Sequence, residues 1–314
     1  MLLAVVTAVW CASCSKDDDE PLNVKEGEGV ITMVVNAKGD IDPDEDVYFA
    51  IYSFKEGEII TVDWGDGQVE EFRTTEDENE EDYLKDEDED WFWTDYLGHS
   101  YERHKYYTIT IRGNIKGLVY ILESDDNNVS PLTSLDVSKC PALEYLNCFG
   151  NHLTSLNVSK NPALKELWCY ENALTSLDVS GCTALKELDC GDNNLTSLDV
   201  SRCPALEGLY CFGNPLTSLD VSKNLALEEL DCCYNNLTSL DVSKNTNLKY
   251  LDCGDNKFSA SALNKIFNDL PQGKTWVEDG YTEQPRIFIY GNPGTKTCDK
   301  SIAEKKGWRV YDNW

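Results

Sequence analysis

A run of near-identical 21-residue segments is the feature that most constrains how this chain of 314 residues can fold. Each segment approximates L-T-S-L-D-V-S-x-x-x-A-L-x-x-L-x-C-x-x-N-x, and six consecutive copies cover residues 132–257. A fixed period of this length predicts a solenoid, because each coil can bury its apolar side chains only against its neighbours. Equivalent positions then form ladders, with coils about 4.8 Å apart where their strands pair.

The segments resemble the leucine-rich repeats of bacterial proteins, in the short subclass L-x-x-L-x-C-x-x-N-x-L-x-x-L-D-V. A Leu and a Cys lie two positions apart in each strand, so both side chains should point inward. We interpret these Cys as small buried apolar side chains, with disulfides between coils or a chain of metal ions as the alternatives. The six ladder Cys are Cys148, Cys169, Cys190, Cys211, Cys232 and Cys253.

Two polar ladders complete the repeat. Side-chain amides of the first are predicted to satisfy backbone groups in the turn after each strand. Its members are Asn151, Asn172, Asn193, Asn214, Asn235 and Asn256. The second should face outward and comprises Asp136, Asn157, Asp178, Asp199, Asp220 and Asp241. Its carboxylates repel one another, so local backbone N–H groups, or alternatively a bound cation, are expected to compensate.

Residues 258–314 are predicted to form an α/β cap that closes the end of the solenoid. Residues 259–270 carry apolar side chains at helical spacing and stop at Pro271. Strands are expected at 286–290 and 308–311, with a short helix near 299–306 between them. Within the repeats, Cys182 and Cys203 occupy turn positions on adjacent coils and form the one plausible disulfide.

Residues 24–122 have a different pattern, with short β-branched and aromatic runs at 30–35, 47–52, 59–64 and 106–112 that predict strands. Gly65 and Gly67 predict a hairpin turn beside an inward-facing Trp64. The segments VDWGDG at 62–67, HSY at 99–101 and YYTITIRG at 106–113 resemble polycystic-kidney-disease (PKD) domains. The resemblance implies an immunoglobulin-like β-sandwich that acts as a spacer or as a contact module for proteins and glycans. The expected fold class is therefore mixed, an all-β sandwich followed by a repeat solenoid.

The charge of the chain limits its partners. Asp and Glu number 57 against 27 Lys and Arg, which gives a net charge of −30 and disfavours nucleic acid. Acidic runs at 40–46 and 76–90 are interpreted as solvated segments, with weak Ca²⁺ binding as the alternative. The first run is not an EF-hand, because Glu45 and Ile51 stand where the loop needs Gly and a bidentate Glu. No cofactor is predicted.

The N-terminal 14 residues predict an export signal, because their apolar run is shorter than the roughly 20 residues that span a bilayer. The sequence Cys11-Ala12-Ser13-Cys14 resembles the lipobox of bacterial lipoproteins, which implies lipidation of Cys14. The acidic tether at 15–23 begins like the surface-export signal of Bacteroides-type lipoproteins. The resemblance implies lipid anchoring in the bacterial outer membrane and display at the surface, with no other membrane contact.

Two positions per coil on the concave strand face should be exposed, and their residue types vary while the rest of the repeat hardly does. The candidate ligand-binding residues are Tyr145, Asn147, Glu166, Trp168, Glu187, Asp189, Tyr210, Glu229, Asp231, Tyr250 and Asp252. Aromatic rings among carboxylates can stack on sugars or anchor peptide side chains, which predicts binding or adhesion to an extracellular protein or glycan. The alternative is that such residues merely suit exposed strands and that the protein is a structural spacer.

Catalysis is not predicted. The three His residues, His99, His104 and His152, have no nucleophile and base around them and no zinc-ligand spacing. A carbohydrate-active enzyme with a pair of carboxylates is a distant alternative, since 57 acidic residues could supply many such pairs.

Overall fold

The computed structural model describes residues 28–37, 47–53, 55–76, 92–94, 97–99, 105–121, 132–278 and 281–313. The chain forms two compact units, Met1–Asn161 and Pro162–Trp314, which divide inside the second 21-residue copy. The predicted export signal, Cys14, the tether, the acidic run at 40–46 and His104 lie outside the described residues, as does all of 76–90 except Glu76.

The first unit consists of β-strands. They are β1 (Gly29–Ala37), β2 (Val47–Ser53), β3 (Ile59–Asp63), β4 (Val69–Arg73), β5 (Thr75–Glu76), β6 (Phe92–Trp93), β7 (Leu97–His99), β8 (Lys105–Gly113), β9 (Gly117–Ile121), β10 (Leu132–Lys139), β11 (Tyr145–Asn147) and β12 (Leu156–Asn157). One sheet has the order β12-β10-β1-β8-β3-β4, and another has the order β11-β9-β2-β6-β5, with β7 also paired to β2. The four strands expected from the apolar runs correspond to β1, β2, β3 and β8.

The predicted hairpin joins β3 to β4. Trp64 N–H donates to the carbonyl of Gln68 at 3.0 Å, and Gly65 and Gly67 have φ of 78° and 99°. The Trp64 ring is buried and stacks on the His99 ring with centroids 4.6 Å apart. His99 Nε2 lies 2.9 Å from Asp66 Oδ2. His99, the first residue of the second sequence landmark, therefore contacts Trp64 and Asp66 of the first.

The N-terminal strands also pair with the first repeat. Strand β1 pairs antiparallel with β10, and β9 pairs in parallel with β11, so that Leu118 aligns with Leu146. The Cys140 thiol lies against Gly29, where an added Cβ would come within 2.5 Å of its sulfur. Because an open coil edge exposes unpaired backbone groups, these strands cap the N-terminal end of the first coil.

The second unit contains a parallel sheet, a cap and two helices. Its elements are β13 (Glu166–Trp168), β14 (Leu177–Asp178), β15 (Glu187–Asp189), β16 (Gly208–Tyr210), β17 (Glu229–Asp231), β18 (Tyr250–Asp252), α1 (Ala260–Asp269), β19 (Trp276–Glu278), β20 (Tyr281–Glu283), β21 (Arg286–Phe288), α2 (Ser301–Glu304) and β22 (Arg309–Tyr311). The sheet order is β13-β15-β16-β17-β18-β21-β22, and β19 and β20 form a separate antiparallel pair. Each coil contributes one short strand to this parallel sheet, as the repeat predicts, and the coil that contains β15 also has the two-residue strand β14.

The ladders have the predicted orientation. The Leu residues at 146, 167, 188, 209, 230 and 251 and all six ladder Cys are fully buried. Every cysteine in the described part of the chain is a free thiol, so Cys182 and Cys203 form no disulfide. Burial raises the pKa of the Cys148 thiol to about 12, which keeps it protonated and unreactive at neutral pH.

The asparagine ladder joins successive coils, as Asn214 illustrates. Its Nδ2 donates to the carbonyls of Cys190, Cys211 and Phe212 at 3.0 to 3.3 Å, and its Oδ1 accepts the Leu195 N–H at 2.9 Å. This amide thereby satisfies buried backbone groups of its own coil and of the preceding one, as do those of Asn193, Asn235 and Asn256. This confirms the structural role predicted for these residues.

The cap begins as one more coil. Asn292 Nδ2 donates to the Cys253 carbonyl at 2.9 Å, and its Oδ1 accepts the Phe258 N–H at 3.1 Å, which repeats the ladder geometry. The predicted helix is α1, whose first turn is capped by the Ser259 hydroxyl and which ends before Pro271. The other predicted cap elements correspond to β21, α2 and β22.

Candidate ligand-binding face

Two rows of side chains share one surface of the parallel sheet in the second unit, and we call this surface the strand face. Strand register aligns Trp168, Asp189, Tyr210, Asp231, Asp252, Phe288 and Tyr311 in the first row. It aligns Glu166, Glu187, Gly208, Glu229, Tyr250, Arg286 and Arg309 in the second. Positions i and i+2 of a strand face the same side, so the nine candidate residues of this unit lie together.

Tyr145 and Asn147, the candidates in the first unit, are only 3% and 5% exposed, so the expectation that they are exposed is wrong. The Tyr145 ring packs edge-on against Tyr52 with centroids 5.9 Å apart. Asn147 Oδ1 accepts the Phe149 N–H at 3.2 Å. The physical reason is that strands from outside the repeats cover the first coil, which turns its exposed positions into core.

Asp252 is also buried, at 6% exposure, so the expectation that it is exposed is wrong as well. The Tyr290 hydroxyl donates to Asp252 Oδ2 at 2.9 Å, and the Gly254 N–H donates to Oδ1 at 2.8 Å. Tyr290 belongs to the cap, so the covering side chain comes from outside the six repeats. The remaining candidates of this unit are partly buried and reach the surface.

The carboxylates of the strand face are electrostatically costly. Burial raises the pKa of Asp189 to about 7. The hydrogen bond from the Gly191 N–H lowers this pKa, and the nearby Asp231 carboxylate raises it further. Burial likewise raises the pKa of Asp252 to about 6. Desolvation penalises the charged form, so a cation held on this face would be stabilised by both groups.

Tyr210 and Glu229 form a fixed pair on the face. The Tyr210 hydroxyl donates to Glu229 Oε2 at 2.8 Å across neighbouring strands. Burial, together with that carboxylate, raises the pKa of Tyr210. Its ring is therefore held by a hydrogen bond at one end, and the residue is partly exposed.

A pocket opens where large and small residues alternate just beyond the strand ends. The Phe212 ring lies over Gly191 and the Tyr290 ring lies over Gly254, since a Cβ at either glycine would come within 2.4 or 2.5 Å of the ring. Cys233, on a coil between them, is too small to fill the gap. The resulting Cys233 pocket has a volume of about 760 Å³. Its lining comprises Asp192, Phe212, Asp231, Cys233, Tyr234, Tyr250, Asp252, Phe288, Tyr290, Tyr311 and Asn313.

Sequence reasoning missed the cap's contribution to this pocket. Residues 286–292, RIFIYGN, match 250–256, YLDCGDN, with Ile at both inward positions and Asn at the ladder position. That match places Phe288 beside Asp252 in the first row, as the register shows. The sequence predicts a strand at 286–290 but not a further coil, because the segment lacks the Leu and Cys of the repeat.

The Cys233 pocket also contains a cluster with metal-ligand atoms. Atoms of Asp231, Cys233 and Asp252 all lie within 4.8 Å of one another, the one such group of three in the described part of the chain. However, burial raises the pKa of the Cys233 thiol far above neutrality. Asp252 accepts hydrogen bonds at both oxygens, and Asp231 Oδ1 accepts the Cys233 N–H at 3.0 Å. The cluster is thus stabilised by hydrogen bonds without an ion.

Comparison with known proteins identifies the repeats. Residues 162–203, 183–224 and 226–265 match the family model described as Leucine Rich repeats (2 copies). These segments are leucine-rich repeats. No curated protein matches the chain.

Several solved structures are similar to this chain. The functional domain of InlJ from Listeria monocytogenes, described as including a cysteine ladder, is 38% identical over 61% of this chain and 38% of its own, with a TM-score of 0.48. An internalin C2 from the same species is 18% identical over 63% and 81%, with a TM-score of 0.47. YopM, a leucine-rich effector protein of Yersinia pestis, is 28% identical over 38% and 33%, with a TM-score of 0.34.

This chain therefore spans 38% of the length of the InlJ chain and 33% of the YopM chain. Among the described residues, no helix is long and apolar enough to cross a bilayer.

Proposed function

We propose that this protein is a non-enzymatic binding protein that recognises an extracellular protein or glycan through the strand face. Leucine-rich-repeat proteins commonly mediate protein binding or adhesion. The observation that carries the proposal is the first row, in which Trp168, Asp189 and Tyr210 occupy aligned positions on adjacent strands. Paired strands and the asparagine ladder hold these side chains rigidly, so little ordering entropy opposes binding.

The surroundings of the histidines support a binding role over catalysis. The His99 ring stacks on Trp64 and is hydrogen-bonded to Asp66, so it packs as part of the first unit. His152 is exposed in a repeat turn. A nucleophile, a base and an oxyanion donor would have to converge for catalysis, and the described side chains around these two rings offer no such arrangement.

The test begins with a screen of the full chain against arrays of extracellular proteins and glycans. For a ligand so found, Trp168→Ala or Tyr210→Ala should each weaken affinity by about 1 to 3 kcal/mol, as truncated aromatic anchors commonly do. Asp178→Ala is the matched control in the outward column and should leave affinity unchanged. If neither aromatic substitution changes the affinity, but substitutions around Trp64 lower it, the binding site lies in the first unit instead. A chain with no ligand at all would favour the spacer function.

We further propose that residues 24–122 form a PKD-like β-sandwich, whose strands cap the first repeat. The hairpin at 62–67, its contact with His99 and the pairing of β9 with β11 support this proposal.

The sequence at 11–14 supports a further proposal, that the protein is a lipoprotein anchored in the bacterial outer membrane and displayed at the surface. The acidic tether at 15–23 would separate the folded units from the bilayer. Cys14→Ala should then release the full chain into soluble fractions, with Cys298→Ala as the control that stays with membranes. Membrane partitioning of Cys14→Ala equal to that of the parent chain would refute the anchor.

A further inference from the structure

The Cys233 pocket combines negative charge with aromatic walls. Three carboxylates line it, those of Asp192, Asp231 and Asp252, together with six aromatic side chains. Among the described residues that line it, none is Lys or Arg. Its volume of about 760 Å³ lies in the range of sites that enclose a small ligand or a protruding side chain.

We propose that the Cys233 pocket binds an arginine side chain of a partner protein, with the guanidinium paired to Asp231 and stacked on the aromatic walls. This inference rests on the proposed function, because it assigns the partner's anchoring residue to one end of the strand face. The ligand class is a protein with an exposed arginine.

The aromatic walls are arranged for a flat cation. Phe288 and Tyr311 stack with centroids 4.6 Å apart and an interplanar angle of 12°, and Tyr250 lies 5.6 Å from Phe288. Tyr234, 48% exposed and at φ 51°, stands 6.4 Å from Tyr290 at the rim. Rings of this kind attract cations through their negative faces.

The chain already uses one of these rings in this way. The guanidinium carbon of Arg286 lies 5.3 Å from the centre of the Tyr250 ring. Arg286 does not line the pocket. The carboxylates that do line it therefore have no cationic side chain beside them among the lining residues. The contact nevertheless shows that this wall accepts a guanidinium.

Charge complementarity favours arginine over other occupants. A carboxylate can accept about four hydrogen bonds and matches the two-pronged donor geometry of a guanidinium. Lysine offers a compact and strongly hydrated charge that stacks less well. A neutral sugar would leave three carboxylates uncompensated, and burial together with mutual repulsion already raises the pKa of Asp252 to about 6. A bound cation would remove that cost.

The experiment titrates the full chain with the peptide acetyl-Gly-Ser-Arg-Ser-Gly-amide and follows backbone amide resonances near Cys233. Citrulline in place of arginine keeps the shape but removes the charge, and should bind at least about 10-fold more weakly. Lysine should bind about 3-fold more weakly. Asp231→Asn should weaken arginine binding about 10-fold, whereas the matched variant Asp220→Asn, in the outward column, should not change it.

Tyr234→Ala provides a second variant at an exposed position, where a folding defect is not expected, and should weaken arginine binding about 3-fold. Equal binding of the arginine and citrulline peptides, or arginine binding that ignores both Asp231→Asn and Tyr234→Ala, would overturn the proposal. Saturable Zn²⁺ or Ca²⁺ binding that is lost in Asp231→Asn and that blocks the peptide would replace it with a metal site.

The two proposals fail separately. If a partner from the screen depends on Trp168 and Tyr210 while no arginine peptide binds, the arginine assignment is wrong and the binding function stands. If the arginine peptide binds as expected but no partner depends on Trp168 and Tyr210, the broader strand-face proposal is wrong.

Discussion

Two columns of aspartates in the second unit accept the same hydrogen bond, but their pKa values are shifted in opposite directions. The outer column consists of Asp178, Asp199, Asp220 and Asp241, and the inner column consists of Asp189, Asp231 and Asp252. Every member accepts the backbone N–H of the residue two positions later, at 2.8 to 3.0 Å. The pKa is lowered throughout the outer column and raised throughout the inner one.

Burial is what distinguishes the two columns. The outer carboxylates are solvated, so hydrogen bonds from a serine hydroxyl and backbone N–H dominate and favour the charged form. The inner carboxylates lie among aromatic rings and one another, where desolvation outweighs the same N–H. A local turn motif therefore explains the outer column completely. The inner column is maintained against its own electrostatic cost, which is a pattern common at functional sites.

The largest effect should come from removing an inner charge. Asp189 binds a proton more tightly in the folded state than in the unfolded state, so stability falls as pH rises between about 4 and 7. Asp189→Asn cannot ionise and its side-chain oxygen can still accept the Gly191 N–H. It should raise the free energy of unfolding by about 1 to 3 kcal/mol at pH 8.

Urea unfolding at pH 8 and at pH 4.5 measures this effect, because the parent aspartate is largely protonated in the folded state at the lower pH. The gain should therefore shrink toward zero at pH 4.5. A loss of stability at pH 8, or an equal gain at both pH values, would show that the Asp189 carboxylate is not destabilised by burial.

The same comparison shows what the repeat could predict. Because the coils repeat regularly, equivalent residues of adjacent coils are neighbours. The inward Leu and Cys, the asparagine hydrogen bonds and the backbone N–H that compensates the Asp220 carboxylate therefore follow from the sequence alone. This regularity fails at the ends of an array. Tyr145 is covered by β9 and Tyr52, and Asp252 by Tyr290, none of which belongs to the six repeats.

The Cys233 pocket was missed for a related reason. It depends on which single residue follows each strand, since Phe212 and Tyr290 cover the glycines before them while Cys233 leaves a gap. Such side-chain sizes carry no periodic signal. An alignment of 286–292 with the repeats places the cap residue Phe288 beside Asp252.

The smallest effect should come from the outer column. Hydrogen bonds from the Ser222 backbone N–H and hydroxyl lower the pKa of Asp220, so its stabilising contribution is present above pH 4 and is lost as pH falls through the lowered value. Solvent screens this exposed group, so Asp220→Asn should cost at most about 0.5 kcal/mol at pH 7 and nothing near pH 2. The same urea unfolding series measures it. Because Asp189→Asn and Asp220→Asn preserve the same N–H acceptor, the difference between their effects isolates burial. A loss above about 1 kcal/mol for Asp220→Asn would show that the charge of this exposed carboxylate stabilises the fold more strongly than solvent screening allows.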